Sequence, residues 1–343
     1  MPIHNFEQPS GRVEVISVIS EAVKDNLLGD PHSRNVAVYL PPGYDEAKTD
    51  YPLFVALAGF TGSGLKLLGW QSFGENLPQR LDRLVQQGLM GPVILALPDC
   101  FTSFGGNQYI NSVALGRWED FLLEEMIPQI ESRFRVRRDP ATRAVFGRSS
   151  GGYGALIQAM LHADRWGAVA CHSADIDFDL VYRPDLAKAL DTLARHDGDV
   201  ERFIGHLRDA DKISGSEMYA LMLLAMSATY DPAKDAPYGV QLPVDPHTCG
   251  LIEQRWQRWL EHDPLRMIER SDCRENVKRL KLLFLDCGSR DQYHLHYGCR
   301  ALTRRFGELG IDYVYEEFDD THSGIDYRFD RSLPMLYDAV TRP

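Results

Sequence analysis

The sequence predicts an α/β protein: an about eight-stranded, mostly parallel sheet flanked by helices, with a helical insertion late in the chain. Three observations carry this. Short apolar runs rich in β-branched residues alternate with helical stretches; one such run passes through a glycine-rich turn straight into a helix at 143–155; and the alternation stops after residue 172, to resume near 280.

The strands fall near 12–19, 35–40, 52–58, 92–97, 142–146, 167–172, 280–286 and 312–318. Gly29-Asp30-Pro31 is a turn signal between the first two, which are expected to pair as an antiparallel edge. Residues 118–134 carry apolar side chains at helical spacing, and Pro128, which lacks an N–H, is expected to kink or restart that helix. A second helix over 152–162 is apolar nearly all round, as a helix packed on a central sheet must be. From 175 to 270 amphipathic helices are expected around 184–196, 199–209, 215–229 and 250–269, with a Pro-rich loop at 231–247. The expected organisation is a core of residues 1–174 and 271–343 with a helical cap or lid of 175–270 over the sheet.

The 343 residues, 44% hydrophobic and 25% charged, have the make-up of an ordinary globular protein. A formal charge of −12 repels nucleic acid and anionic membrane, so neither is expected as a partner. No apolar stretch approaches the roughly 20 residues that span a bilayer. Cys100, Cys171, Cys249, Cys273, Cys287 and Cys299 lie far apart with no C-x-x-C spacing, which argues for free thiols and against a disulfide framework or zinc ribbon. The expected setting is the cytoplasm. Homo-oligomers are compatible with the sequence.

Gly147-Arg148-Ser149-Ser150-Gly151 fits G-x-S-x-G, and its setting matters more than its letters. A strand (Arg143-Ala144-Val145-Phe146) leads in and a helix (Gly152-Tyr153-Gly154-Ala155) leads out, the surroundings of a nucleophile elbow in an α/β-hydrolase fold. A serine strained between strand and helix tolerates only very small side chains two positions before and after it. Centred on Ser149 these are Gly147 and Gly151; centred on Ser150 they are Arg148 and Gly152, and the arginine does not fit. Ser149 is therefore the expected nucleophile. The start of the helix aims the Ser150 N–H at a developing oxyanion, and a second N–H is expected from Phe60, in the loop Ala58 to Gly64 after the third strand. That loop lacks the Lys-Ser/Thr of a phosphate-binding loop.

A serine hydroxyl needs a histidine to take its proton and a carboxylate to orient the ring, in this fold in the chain order serine, acid, histidine. His322 lies in the loop after the eighth strand, and Asp291 lies just beyond the seventh. Asp286 sits inside that strand and is expected to anchor the loop; Asp319 and Asp320 stand too close to His322. His294 and His296 form an H-x-H pair without cysteines or a third ligand, so no metal is expected. Arg148 is a candidate for the pocket mouth or for a partner of an acidic surface residue. His172, at the end of the sixth strand, is a candidate for the pocket wall, with a structural role the plainer reading. Met218 and Met222, at near-helical spacing with Met226, could line an acyl pocket, with a core stripe the plainer reading.

Taken together these residues resemble the putative-esterase (esterase D-like) family of α/β hydrolases. Val38-Tyr39-Leu40-Pro41-Pro42-Gly43-Tyr44-Asp45 is similar to the family's VYLPPGY segment, and Glu125-Met126-Ile127-Pro128-Gln129-Ile130-Glu131 to its E-x-I-P-x-I-E helix. Ser149-Ser150-Gly151-Gly152-Tyr153-Gly154-Ala155 resembles its S-M-G-G-x-x-A, and Gly288 to Asp291 and His322-Ser323 match its acid and histidine loops. Two departures stand out: Ala58-Gly59 where the family often has His-Gly, and an insertion of about 90 residues at 175–270, longer than simple members carry. The resemblance implies a serine esterase that cleaves a small-molecule carboxylic ester through an acyl-enzyme, with no cofactor. The same residues would serve an amide or thioester hydrolase or an acyltransferase. A non-catalytic binding protein on this fold would be marked by a lost triad member, and none is missing.

Overall fold

The computed structural model describes residues 4–342. The expected eight strands form one sheet: β1 (Arg12–Ile19), β2 (Ser33–Leu40), β3 (Leu53–Leu57), β4 (Ile94–Pro98), β5 (Arg143–Arg148), β6 (Ala168–His172), β7 (Leu282–Gly288) and β8 (Val314–Phe318). Their spatial order is β1-β2-β4-β3-β5-β6-β7-β8. β2 runs antiparallel to both β1 and β4, and every other pairing is parallel. The antiparallel edge follows the sequence expectation. The edge strand β1 alternates exposed and buried residues, whereas β3, β4 and β6 are buried throughout, as strands covered on both faces are.

Alternate residues of the same strands feed two cores. Val55 and Val145 point to one, which also holds Tyr153, Leu156 and Ile157 of the helix α3 (Ser150–Leu161). Phe54 and Phe146 point to the other, closed by Leu81 and Leu84 of α1 (Leu77–Gln86) and by Leu333 and Leu336 of α10 (Phe329–Thr341). A helix over 118–133, α2, passes through a π-helical stretch at Phe121–Met126 and resumes regular α geometry at Ile127. The wider turn comes immediately before Pro128, whose missing N–H cannot serve a tight ladder, so the proline restarts the helix without breaking it.

Between β6 and β7 the chain builds helices α4 (Leu186–Ala194), α5 (Val200–Asp209), α6 (Gly215–Tyr230), α7 (Glu253–Leu260) and α8 (Ser271–Lys278), and α9 (Leu295–Leu309) lies between β7 and β8. Two expectations are corrected here. The single helix expected over 250–269 is split into α7 and Pro264–Met267, because Pro264 takes the first turn of a new helix and the Asp263 side chain caps it by accepting the Leu265 N–H. The sequence reading also lacked α8, whose sparse apolar positions hide its period. A turn at Phe178–Val181 precedes α4, and a two-residue hairpin pairs Asn111–Ser112 with Gly116–Arg117.

These helices extend the core that holds Val55 and Val145, around Trp259, which is 0% exposed and meets the rings of Tyr230, Trp256 and Tyr182 at 5.4, 5.5 and 5.8 Å. Trp259→Ala is expected to lower the unfolding free energy by about 3–5 kcal/mol through the cavity it leaves, measured by denaturant unfolding; a loss below about 1 kcal/mol would contradict this packing.

Candidate active site

The strand order reverses at β3: the chain goes from β3 to β4 on one side and returns to β5 on the other. The carboxyl ends of β3 and β5 therefore flank a crevice, where open α/β sheets bind ligands. The two loops that leave these ends are 58–64 and the turn at Ser149.

Ser149 joins β5 to α3 with φ 58° and ψ −126°, a backbone conformation that costs a non-glycine residue on the order of 1–3 kcal/mol. Its N–H donates to the His172 carbonyl (2.9 Å) and its carbonyl accepts the Tyr153 N–H (2.8 Å). It occupies the N-cap position of α3, where a serine side chain ordinarily accepts a helix N–H, yet it makes no such bond. The strained backbone turns the hydroxyl away from the helix and leaves it free. A Cβ on Gly147 would lie 2.4 Å from the Gly151 carbonyl oxygen, and one on Gly151 would lie 2.0 Å from that of Leu57, so neither position accepts a side chain. Ser150 is the first helical residue instead; it is buried, and its Oγ accepts from Gln108 Nε2 at 3.0 Å.

The loop after β3 passes against the serine. A Cβ at Gly59 would stand 3.4 Å from Ser149 Cβ and 3.9 Å from its Oγ. The Tyr109 hydroxyl pins the loop by donating to the Ala58 carbonyl (2.6 Å), and the Gly106 N–H does so by donating to that of Phe60 (2.5 Å). Among the described residues, the N–H groups of Phe60 and Ser150 have no intramolecular acceptor. Both residues line a cavity of about 490 Å³ that also exposes Ser149 and His322.

Asp291 and His322 come from the loops after β7 and β8. These loops are sewn together by Ser289 N–H to Phe318 O (2.8 Å) and Arg290 N–H to Asp320 O (3.0 Å), and Gly288 leaves no room for a Cβ against the Asp320 carbonyl. Asp291 is buried; its Oδ2 accepts from His322 Nδ1 at 2.8 Å and its Oδ1 from the Tyr293 N–H at 2.8 Å. The Tyr293 ring packs edge-on against His322, with centroids 4.9 Å apart. The imidazole is thus fixed in the tautomer that leaves Nε2 as the free nitrogen. Ser149 Oγ makes no hydrogen bond to it.

Arg148 lines the cavity and also pairs with an acid, its Nε lying 3.6 Å from Asp326 Oδ1, so both of its expected roles coexist. Met218, Met222 and Met226 line the cavity, and Met226 is at the same time buried in the core.

Of the two readings of His172, the wall alternative is corrected and the plainer structural one stands: the residue does not line the cavity. Along β6 it shares a face with Ala168 and Ala170, which belong to the core under α10, and it is 1% exposed. Its Nδ1 lies 2.7 Å from Asp286 Oδ1 and its Nε2 lies 2.9 Å from Ser332 Oγ. Asp286 also accepts from Arg328 Nε (2.8 Å), and Arg328 reaches on to Glu316 (2.5 Å). Asp286 thus anchors α10 and β6 in place of the acid loop it was expected to hold. The molecule contains a second Ser–His–Asp set, complete in its hydrogen bonds and sealed from solvent. The second set is the more fully connected, but only the first opens on the cavity. The rings of His294 and His296 are 6.4 Å apart, and no group of three metal-ligating side chains occurs among the described residues.

The sequence reading missed Asp175. It follows β6, lines the cavity, and is only 7% exposed. Burial pushes its carboxyl up to about 6, against the hydrogen bond from Tyr182, the nearby His322 and the amide of Gln108. The available signal was an aspartate at a strand end on the carboxyl side of the sheet, a place where functional side chains gather.

A strained serine turn at the switch point of such a sheet is a property of α/β hydrolases, and solved structures with this fold match nearly the whole chain. A ferulic acid esterase matches with a TM-score of 0.63 at 18% identity, over 96% of this chain and 98% of its own. An S-formylglutathione hydrolase from Agrobacterium tumefaciens matches with 0.60 at 16% identity, over 98% of each chain. FphF, a fluorophosphonate-binding serine hydrolase of Staphylococcus aureus, matches with 0.58 at 13%, over 97% of this chain and 99% of its own. The chain belongs to the Putative esterase family, whose model matches residues 31–329. Two curated relatives, Esterase Rv1288 and Esterase MT1326 of Mycobacterium tuberculosis strains, are 33% identical over 95 residues, which is 26% of this chain. The match spans about a fifth of their length, 21%. No helix among the described residues is long and apolar enough to cross a membrane.

Asp286→Ala would leave His172 and Arg328 facing an emptied buried site, and is expected to cost about 3–5 kcal/mol of unfolding free energy. Chemical denaturation checks this; an unchanged midpoint would show that the buried relay contributes nothing to the fold.

Proposed function

We propose that the protein is a serine hydrolase that cleaves a carboxylic ester of a small molecule through an acyl-enzyme intermediate. The observation that carries this reading is a serine hydroxyl freed from its own helix, on the same cavity as a histidine whose Nδ1 is committed to a buried aspartate. Membership of the Putative esterase family supports the ester bond as the target.

In this scheme Ser149 Oγ attacks the ester carbonyl while His322 Nε2 takes its proton. Asp291 keeps Nδ1–H pointed at itself and stabilises the imidazolium that forms. The oxyanion gains hydrogen bonds from the Phe60 and Ser150 amides, donors held in place by the fold and without intramolecular acceptors. Collapse of the tetrahedral intermediate expels the alcohol, which takes the proton from His322. Water then enters by the same route in reverse and releases the acid. Catalytic hydrogen bonds often tighten only with substrate bound, and in this scheme the Ser149–His322 bond forms at that stage.

Residues 175–270 act as a cap on a core of 1–174 and 271–343, a reading supported by Tyr182, Met218 and Met222, which reach the cavity from this stretch. Met218 and Met222 form an adaptable apolar wall for part of the substrate. The spacing of the six cysteines supports a cytoplasmic setting.

A fluorophosphonate probe is expected to label Ser149, with labelling and ester hydrolysis lost in Ser149→Ala and kept in Ser332→Ala, as read by peptide mass spectrometry. Labelling of Ser149→Ala at the wild-type level would overturn the assignment. Asp291→Asn is expected to lower kcat by about 10³–10⁴, the scale of losing the correct histidine tautomer. Matched esters, anilides and thioesters tested side by side should favour the ester; preference for either of the others would change the bond assigned.

A further inference from the structure

One charged group on the cavity wall has no part in the ester-cleaving scheme. Asp175 stands three residues beyond β6, in the same cavity as Ser149 and His322. Its Oδ2 is held twice, by the Tyr182 hydroxyl at 3.0 Å and by Gln108 Nε2 at 3.4 Å. Its Oδ1 has no hydrogen-bond partner among the described residues. The cavity wall also includes Met222 and Met226, which offer no donor. A carboxylate oxygen that meets the cavity without a protein donor takes its hydrogen bond from water or from a ligand.

The carboxylate is also held in register with the reaction centre. The same Gln108 Nε2 that reaches Asp175 donates to Ser150 Oγ at 3.0 Å, and Ser150 carries one of the two free amides. A substrate held at both places would be attached at two points whose separation one buried side chain fixes.

We infer that Asp175 is a specificity residue that accepts a hydrogen bond from a hydroxyl of the substrate, so that the favoured substrates are esters bearing a free hydroxyl near the scissile carbonyl. This rests on the ester-hydrolase reading above. A hydroxyl fits better than an ammonium for an electrostatic reason. Asp175 shares the cavity with His322, whose nearness works against the upward push of burial on the Asp175 carboxyl, and the scheme makes His322 an imidazolium in the transition state. An ammonium seated on Asp175 would cancel a negative charge that favours that imidazolium; a hydroxyl leaves it in place.

The test compares kcat/KM for ethyl butanoate, its 2-hydroxy and 3-hydroxy counterparts, and the 2-hydroxyethyl and 2-ammonioethyl esters of butanoic acid. Wild type, Asp175→Asn and Asp175→Ala are measured on each, with fluorophosphonate labelling of Ser149 read in parallel. At least one hydroxylated ester should exceed ethyl butanoate by on the order of tenfold or more, the scale of a hydrogen bond to a charged group. Asp175→Ala should bring that ratio to near one, and the isosteric Asp175→Asn, which keeps the shape of the site, should bring it to an intermediate value. A wild type that labels and turns over esters without preferring any hydroxylated one overturns this inference alone. So does a ratio that survives both substitutions, or a preference for the ammonioethyl ester over the hydroxyethyl ester. A wild type that neither labels nor hydrolyses any of the esters overturns the hydrolase reading as well.

Discussion

The backbone of Ser149, held at φ 58° between β5 and α3, is the constraint on which the rest of the site depends. That conformation exists because Gly147, Gly151 and the end of β3 approach more closely than any side chain would permit, with the Leu57 carbonyl filling the space where a Gly151 Cβ would lie. The strain is offset by what the turn brings about: α3, buried along nearly its whole length, docks on the sheet in the only direction the turn allows. The same close approach carries the loop after β3 past the serine. It leaves the Phe60 and Ser150 amides on one cavity without other acceptors.

The two histidine–aspartate pairs show how burial divides roles between similar chemistries. His172–Asp286 is closed by Ser332, Arg328 and aromatic rings, so its protons have nowhere to go and its work is to hold β6, β7 and α10 together. His322–Asp291 is built from loops, with a buried carboxylate behind the ring and the cavity in front of it. The first pair is the better connected of the two, and a search by hydrogen-bond pattern alone would rank it first. The groups that meet the cavity, Asp175 among them, are those for which a ligand can change the energy.

Much of this was legible in the sequence, for identifiable reasons. Eight strands could be read because apolar, β-branched runs repeat between helices, and the Ser149 turn because Gly147 and Gly151 flank one serine and not its neighbour. The strand order was hidden, since the placement of β4 beyond β3 is decided by pairing between distant segments. For His172 the wall stayed open beside the plainer structural reading because a strand end gives no hint of which face its last side chain takes; it falls in phase with Ala168 and Ala170 on the α10 side. Asp175 was overlooked because its partner Gln108 lies 67 residues away in the chain and meets it only in the fold. The break at Pro264 was visible as a residue, but its force came from Asp263, whose side chain caps the new helix while also accepting the N–H groups of Asp177 and Phe178.

The central claim is that Ser149 is the reacting group and that the Phe60 and Ser150 amides receive the charge. A crystal structure of the protein inactivated by a phosphonate tests both at once. The account predicts a covalent bond from Ser149 Oγ to phosphorus, with the phosphonyl oxygen within hydrogen-bond distance of both amides and His322 Nε2 turned toward the leaving-group side. A phosphonate on another residue, or a phosphonyl oxygen directed away from these two N–H groups, would contradict it.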